Sequence, residues 1–226
     1  MEELFDKAGS YDEMLDEGLS VTGEGKDFYA EGRLYHMRKN LPEGFQPTRI
    51  LDFGCGIGET TILLSKTYPD AMVCGFDSSD ETIEFAQKHY GSDKIKFYRI
   101  ASLKDYKDFD LAYVNGVFHH IPLNERTDSA RSIHEALRVG GKLAFFENNP
   151  WNPGTRWVMS RIPFDRDAIT LSYKEGQALC RNAGFSMMDT TRFLFYFPAT
   201  LKFLRPLEPM LESVPFGGQY LVLVSK

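Results

Sequence analysis

The chain has 226 residues, 42% apolar and 26% charged, the proportions of a soluble globular protein with one large domain or one domain and a small appendage. Its 26 Lys and Arg stand against 32 Asp and Glu, and the net charge of −6 opposes non-specific nucleic-acid binding. A chain this long needs neither disulfide nor metal to hold a core, and its longest apolar runs, Leu143–Phe146 and Tyr220–Val224, are too short to span a bilayer.

The N-terminus is acidic and lacks the apolar stretch of a secretory signal. The three cysteines, Cys55, Cys74 and Cys180, are far apart and form no C-x-x-C pair, so they read as buried free thiols of a cytoplasmic protein. Residues 1–47 carry helical patterns, including Tyr29–Leu41, ended by Pro42 and Pro47, and read as an N-terminal helical cap. From Arg49 short apolar strands alternate with amphipathic helices. Strands are expected at Arg49–Phe53, Ala71–Phe76, Ile95–Ile100, Asp110–Asn115 and Lys142–Glu147. Helices are expected at Thr60–Tyr68, Asp80–His89 and Arg126–Leu137. This alternation specifies a mostly parallel α/β sheet with helices on both faces. Residues 148–170 show little periodicity. Ser172-x-x-Glu175 is a capping box that opens a helix ending near Gly184. Two further strands, Thr190–Phe197 and Gln219–Lys226, flank an apolar insertion, 198–215, and their close succession suggests an antiparallel edge.

Chemistry concentrates where the first strand ends. Arg49–Thr61 runs from strand through Gly54, Gly56 and Gly58 into a helix, and glycines there allow a sharp turn and close ligand approach. Asp77 ends the next strand, close to the spacing of about 20 residues at which an acid meets ribose hydroxyls. The loop reads as an adenosine site. Asp52 and Glu59 flank it and would repel a diphosphate, while the third glycine comes one place early for G-x-G-x-x-G. The same acids suit a ligand carrying a sulfonium and an ammonium, such as S-adenosylmethionine.

In Leu51–Gly58, in Asp77, in Phe118-His119-His120-Ile121 and in Leu137–Leu143, the sequence resembles the class I S-adenosylmethionine-dependent methyltransferases. The resemblance covers about residues 45–226. It implies a Rossmann-like, seven-stranded, mostly parallel sheet whose last strand is antiparallel, in a methyltransferase domain over 48–226 with substrate-side insertions at 148–170 and 198–215. It implies that Asp52, Gly54, Cys55, Gly56 and Gly58 serve the methionine moiety, with Asn115 nearby, and that Asp77 and Ser78 serve the ribose. The family often has an acid after the third strand, near the adenine. Here Ser102 stands there. In similar enzymes the N-terminal helices close over the cofactor, so the resemblance implies that Tyr11, Tyr29 and Arg33 reach its carboxylate.

Chemistry on the acceptor falls to residues at the carboxyl ends of later strands, where open α/β sheets bind ligands. His119 and His120 are candidate bases, and Glu147, ending the fifth strand, could orient a hydroxyl or take its proton. No metal is expected, because adjacent histidines rarely aim at one ion and no Cys/His partners lie nearby. Asn149, Trp151 and Arg156 form a candidate substrate wall, Asp165 and Asp167 could pair with nearby arginines, and the 198–215 insertion could be a lid, a homodimer contact or a peripheral surface for lipid-linked acceptors. The loop Glu147–Pro153 is similar to methyltransferases of bacterial surface-polysaccharide synthesis. The expected reaction is methyl transfer to a small molecule or glycan precursor through oxygen. The alternatives are a non-catalytic S-adenosylmethionine-binding module, a nicotinamide-dependent oxidoreductase, and a nucleic-acid methyltransferase, whose usual Asn/Asp-Pro-Pro-Tyr/Phe motif is absent after the fourth strand.

Overall fold

The computed structural model describes residues 18–163, 165–166 and 168–226. Tyr11 and Asp167 lie outside the described residues. Helix α1 (Lys26–Asn40) precedes the alternating core: β1 (Arg49–Phe53), α2 (Glu59–Thr67), β2 (Met72–Asp77), α3 (Asp80–Tyr90), β3 (Ile95–Arg99), β4 (Phe109–Asn115), α4 (Arg126–Ala136) and β5 (Leu137–Asn148). Then come α5 (Pro153–Met159), α6 (Tyr173–Ala183), β6 (Met187–Leu194), α7 (Glu208–Leu211) and β7 (Gln219–Ser225).

One seven-stranded sheet runs in the order β3-β2-β1-β4-β5-β7-β6. Strands β1 to β5 are parallel, and β7 pairs antiparallel with both β5 and β6. Alternation along each strand sends successive side chains to opposite faces. On one face Ile50, Val73, Tyr113, Phe146 and Leu221 meet Leu34 and Met37 of α1 and Leu64 of α2. On the other, Leu51, Phe76, Val114, Phe145 and Val222 meet Ile133 of α4 and Leu179 of α6. Both faces are apolar because both are covered, as the alternating sequence pattern requires. The N-terminal helix therefore packs directly on the sheet.

Several boundaries move. The fifth strand, expected at Lys142–Glu147, already begins at Leu137, with a register shift opposite Phe109 and Leu111 and Gly140 at φ 76°. A glycine takes that left-handed backbone without a Cβ clash, so the strand bends instead of stopping. Within the aperiodic stretch, Asn152 caps α5 by accepting from the Thr155 N–H at 2.9 Å, and Pro153 occupies the first turn, where its missing N–H costs nothing. Such a short helix shows no period to detect. The Ser172/Glu175 capping box forms, and Gly184 ends α6 at φ 108°. Among the described residues no helix is long and apolar enough to cross a membrane.

Candidate active site

The carboxyl ends of the parallel strands form one edge, and the loops that leave them make two adjoining regions. The first is the glycine loop. Gly54, Gly56 and Gly58 all have positive φ, 76°, 51° and 92°, but their reasons for being glycine differ. A Cβ on Gly54 would meet Val117 at 2.3 Å and one on Gly58 would meet Phe97 at 2.8 Å, whereas nothing lies within 4 Å of a Cβ on Gly56. The first and third glycines allow packing. The second leaves an open cradle where a ligand can approach the backbone.

Two carboxylates frame that cradle. Asp77, at the end of β2, accepts the Gly56 N–H at 2.8 Å and the Ser79 N–H at 3.1 Å, so the acid predicted to hold ribose also pins the loop. Asp52 is 2% exposed and accepts from the Thr61 hydroxyl at 2.7 Å. Burial pushes its pKa up to about 7, against the Thr61 hydrogen bond and with the charge of Asp77 adding to the rise. Glu59 is bound by Lys26 Nζ at 2.6 Å, so its charge is answered within the protein, and it weighs less against a diphosphate than the bare sequence suggests. Cys55 is buried and its thiol is pushed well above the ordinary range by burial and by Asp52 and Asp77, which disfavours the nucleophilic thiolate. Ser78 is exposed, and the Ser102 hydroxyl donates to the Arg99 carbonyl at 2.6 Å.

The second region is a chamber of about 510 Å³ beyond β4 and β5. It adjoins the cradle because Val114 stands opposite Phe53 in the β1–β4 register, which sets Asn115 beside Gly54. Asn115 and Gly116 line the chamber, and the Asn115 Oδ1 is buried without a hydrogen-bond partner. A buried orphan acceptor at a cavity wall is what a ligand donor would satisfy. Tyr29 and Arg33 line the chamber from α1. Arg33 is buried, and donates to Tyr113 Oη and Gln219 Oε1, both at 3.2 Å. Most of the remaining lining is apolar, including Val21, Val158, Met159, Ile162, Phe195 and Phe197.

At the chamber floor lies an ionic cluster. Glu147 is fully buried; its Oε1 accepts the Phe118 N–H at 2.7 Å and its Oε2 faces His119 Nδ1 at 2.6 Å. His119 Nε2 and His120 Nε2 each stand 3.3 Å from Asp165 Oδ1. Burial alone would favour neutral His119, but the charge of Glu147 and hydrogen bonds to Asp165 and Glu147 overcome it, raising its pKa to about 10. Asp165 is likewise buried, yet hydrogen bonds from the two histidines hold its carboxyl below the usual range. The raised pKa favours the imidazolium form of His119, which works against its expected role as a free base. Glu147 spends both oxygens on the protein, which conflicts with a role in orienting an acceptor hydroxyl. His120 is more accessible and lines the chamber.

The substrate wall shifts along the chain. Asn149 is fully buried, with its amide donating to the Pro215 and Gly217 carbonyls at 3.1 and 2.8 Å, so it pins a loop rather than facing substrate. Trp151 packs edge-on against Tyr173, and Arg156 is exposed; neither lines the chamber. The α5 helix turns Asn152, Thr155, Trp157, Val158 and Met159 toward it instead. Asp165 contacts histidines rather than arginines, and no local sequence feature points to that pairing. The 198–215 insertion is tied to the cap: Arg205 bonds Glu24 and lies over the Phe28 ring at 4.6 Å.

Residues 51–143 match the methyltransferase domain family. A trans-aconitate 2-methyltransferase of Methylobacterium nodulans is 33% identical over 144 residues, which cover 63% of this chain and 55% of that protein. The chain spans about half the length of the curated relatives it matches. Among solved structures, an S-adenosylmethionine-dependent methyltransferase from Archaeoglobus fulgidus superposes with a TM-score of 0.65 at 16% identity, covering 89% of this chain and 95% of that one. PigF, solved with S-adenosylhomocysteine, gives a TM-score of 0.58 at 18% identity over 83% of this chain and 53% of that one. Residues 51–143 thus match a methyltransferase domain, and the chain has the Rossmann-like fold of the S-adenosylmethionine-dependent methyltransferase it superposes on.

Proposed function

We propose that this chain is a class I S-adenosylmethionine-dependent methyltransferase and that it methylates an oxygen of a small acceptor with a largely apolar body. The observation that carries the reading is the single chamber running from Asn115 and Gly116, beside the cofactor cradle, to the His119, His120 and Asp165 cluster. Its volume of about 510 Å³ is in the range of small-molecule sites, and its apolar walls favour such a molecule over a bare sugar. A glycan precursor would need an apolar portion to fill it.

The cofactor supplies, when bound, a methyl group made electrophilic by a positively charged sulfur. The open Gly56 cradle and Asp52 would receive the methionine arm, with Asp52 placing negative charge near its cationic groups, and Asp77 would meet the ribose. Arg33 and Tyr29 would meet the cofactor carboxylate. Asn115 presents its unsatisfied oxygen at the junction of the two regions. The protein holds the acceptor oxygen in line with the methyl carbon and excludes water, which supplies most of its share of the rate. A hydroxyl acceptor must also lose its proton, and His120, the most accessible member of the cluster at the chamber floor, would take it.

The test is transfer of labelled methyl to a panel of hydroxylated acceptors, apolar and sugar-based, by the full chain and by Val158→Trp, which fills the chamber. Label on apolar hydroxyl acceptors, abolished by Val158→Trp while cofactor binding persists, supports the reading. Cofactor binding with no transfer to any acceptor would favour the non-catalytic module, and unchanged turnover by Val158→Trp would remove the chamber as the acceptor site.

A further inference from the structure

His119, His120 and Asp165 each offer a ligand atom within 4.8 Å of the other two, and all three line the chamber. Their spacing is informative. A charge-assisted hydrogen bond between imidazolium and carboxylate closes to about 2.7–2.9 Å. His119 does so with Glu147, at 2.6 Å, but both histidines stop at 3.3 Å from the same oxygen of Asp165. That separation is close to the edge of a tetrahedron whose centre lies about 2.0–2.1 Å from each corner, the zinc distance to imidazole nitrogen and carboxylate oxygen. The imidazole rings, with centroids 4.1 Å apart and planes at 58°, aim their Nε2 atoms at one carboxylate although the residues are adjacent in sequence.

Glu147 completes the pattern from behind. It engages His119 Nδ1, which leaves Nε2 as the ligating nitrogen, and its other oxygen is fixed by the Phe118 N–H. A carboxylate behind a metal-bound histidine orients the ring and raises its basicity.

We propose that His119, His120 and Asp165 bind one divalent cation of the zinc type, with Glu147 as the orienting carboxylate and the chamber side of the ion open to an acceptor oxygen. The sequence alone argues against a metal, because adjacent histidines rarely aim at one ion and no Cys/His partners lie nearby; here the third ligand is a carboxylate from the distant loop after α5. The donor set, two imidazoles and one carboxylate, suits zinc and its transition-metal neighbours. Three protein ligands leave a fourth position, the arrangement of catalytic rather than structural zinc sites. A cation here replaces the proton held between His119 and Asp165. It also acidifies a bound hydroxyl, the step an oxygen acceptor needs before transfer. Only this last role rests on the methyl-transfer reading; binding of the ion does not.

The full chain, stripped with EDTA and free of cofactor, would be titrated with Co²⁺ and followed by visible absorption, then with Zn²⁺ by calorimetry. One ion per chain with a low-coordinate Co²⁺ spectrum is expected. His120→Ala and Asp165→Asn, checked for folding by circular dichroism, should lose the site. Glu147→Gln should weaken it about 10–100-fold, and His89→Ala, far from the cluster, should leave it intact. Failure of the stripped protein to bind Co²⁺ or Zn²⁺, or binding that survives both His120→Ala and Asp165→Asn, overturns the metal site without touching the methyl-transfer reading. Labelled-methyl transfer that falls on stripping and returns with added metal ties the ion to the acceptor, whereas transfer indifferent to metal overturns that role.

Discussion

The cradle after β1 and the chamber floor after β4 and β5 share one edge of one sheet, yet they handle buried charge in opposite ways. At the cradle the carboxylates of Asp52 and Asp77 interact, neither forms a salt bridge among the described residues, and Asp52 responds by holding its proton up to about pH 7. At the floor, Glu147 and Asp165 share imidazoles between them, and His119 responds by keeping its proton to about pH 10. The first arrangement is incomplete until a cation arrives. The second is satisfied within the protein. An acid left wanting positive charge reads as a site for a cationic ligand, whereas at the floor the imidazoles already hold the carboxylates in place and a cation binds only by displacing a proton.

That contrast can be broken most directly at the floor. Glu147→Leu leaves a buried imidazolium and the Phe118 N–H without their partner, and should destabilise the protein by about 3–5 kcal/mol. Urea unfolding measures this, and a loss below 1 kcal/mol, on the order of an exposed ion pair, would show that the pair is not sealed from water. At the cradle the sign reverses. Asp52 binds its proton more tightly folded than unfolded, so stability of the cofactor-free protein falls as pH rises from the ordinary carboxylate value to about 7, then levels off. Asp52→Asn should remove that decline and at pH 8 stabilise the protein by up to roughly 3 kcal/mol, while weakening S-adenosylmethionine binding. Melting curves across pH 4–8 (about the span of that titration) check it, and a less stable variant at pH 8 would mean the carboxylate is already compensated. The smallest effect sharpens the cofactor assignment: Asp77→Ala should weaken cofactor binding by about 1–3 kcal/mol, read by calorimetry, and unchanged affinity would take Asp77 out of the ribose contact.

The two regions also differ in how far the sequence announces them. The cradle is assembled within Arg49–Asp77, a strand, a turn, a helix and a strand, so glycine spacing and the following acid are visible as one local pattern. The parallel core is legible for the same reason, since each strand buried on both faces is a short apolar run. The chamber floor draws on the β4 turn, the end of β5 and the loop after α5. Nothing near Asp165 distinguishes an acid that meets histidines from one that meets Arg161 or Arg166. The wall fails differently: the tryptophans and arginine of 149–157 are conspicuous by type, but a seven-residue helix decides which of them turn inward. Asn149 draws attention for its polarity, yet that polarity is consumed by carbonyls of the 215–217 loop.

The position of β7 has a consequence for synthesis. Because it lies between β5 and β6, β6 leaves the ribosome with both edges bare and must wait for the 198–215 segment and β7 to be translated before it has a neighbouring strand. An unpaired strand in a nascent chain is an invitation to aggregate. Recombinant yield should therefore respond to slower translation or to added chaperone more than the stability of the finished protein would suggest.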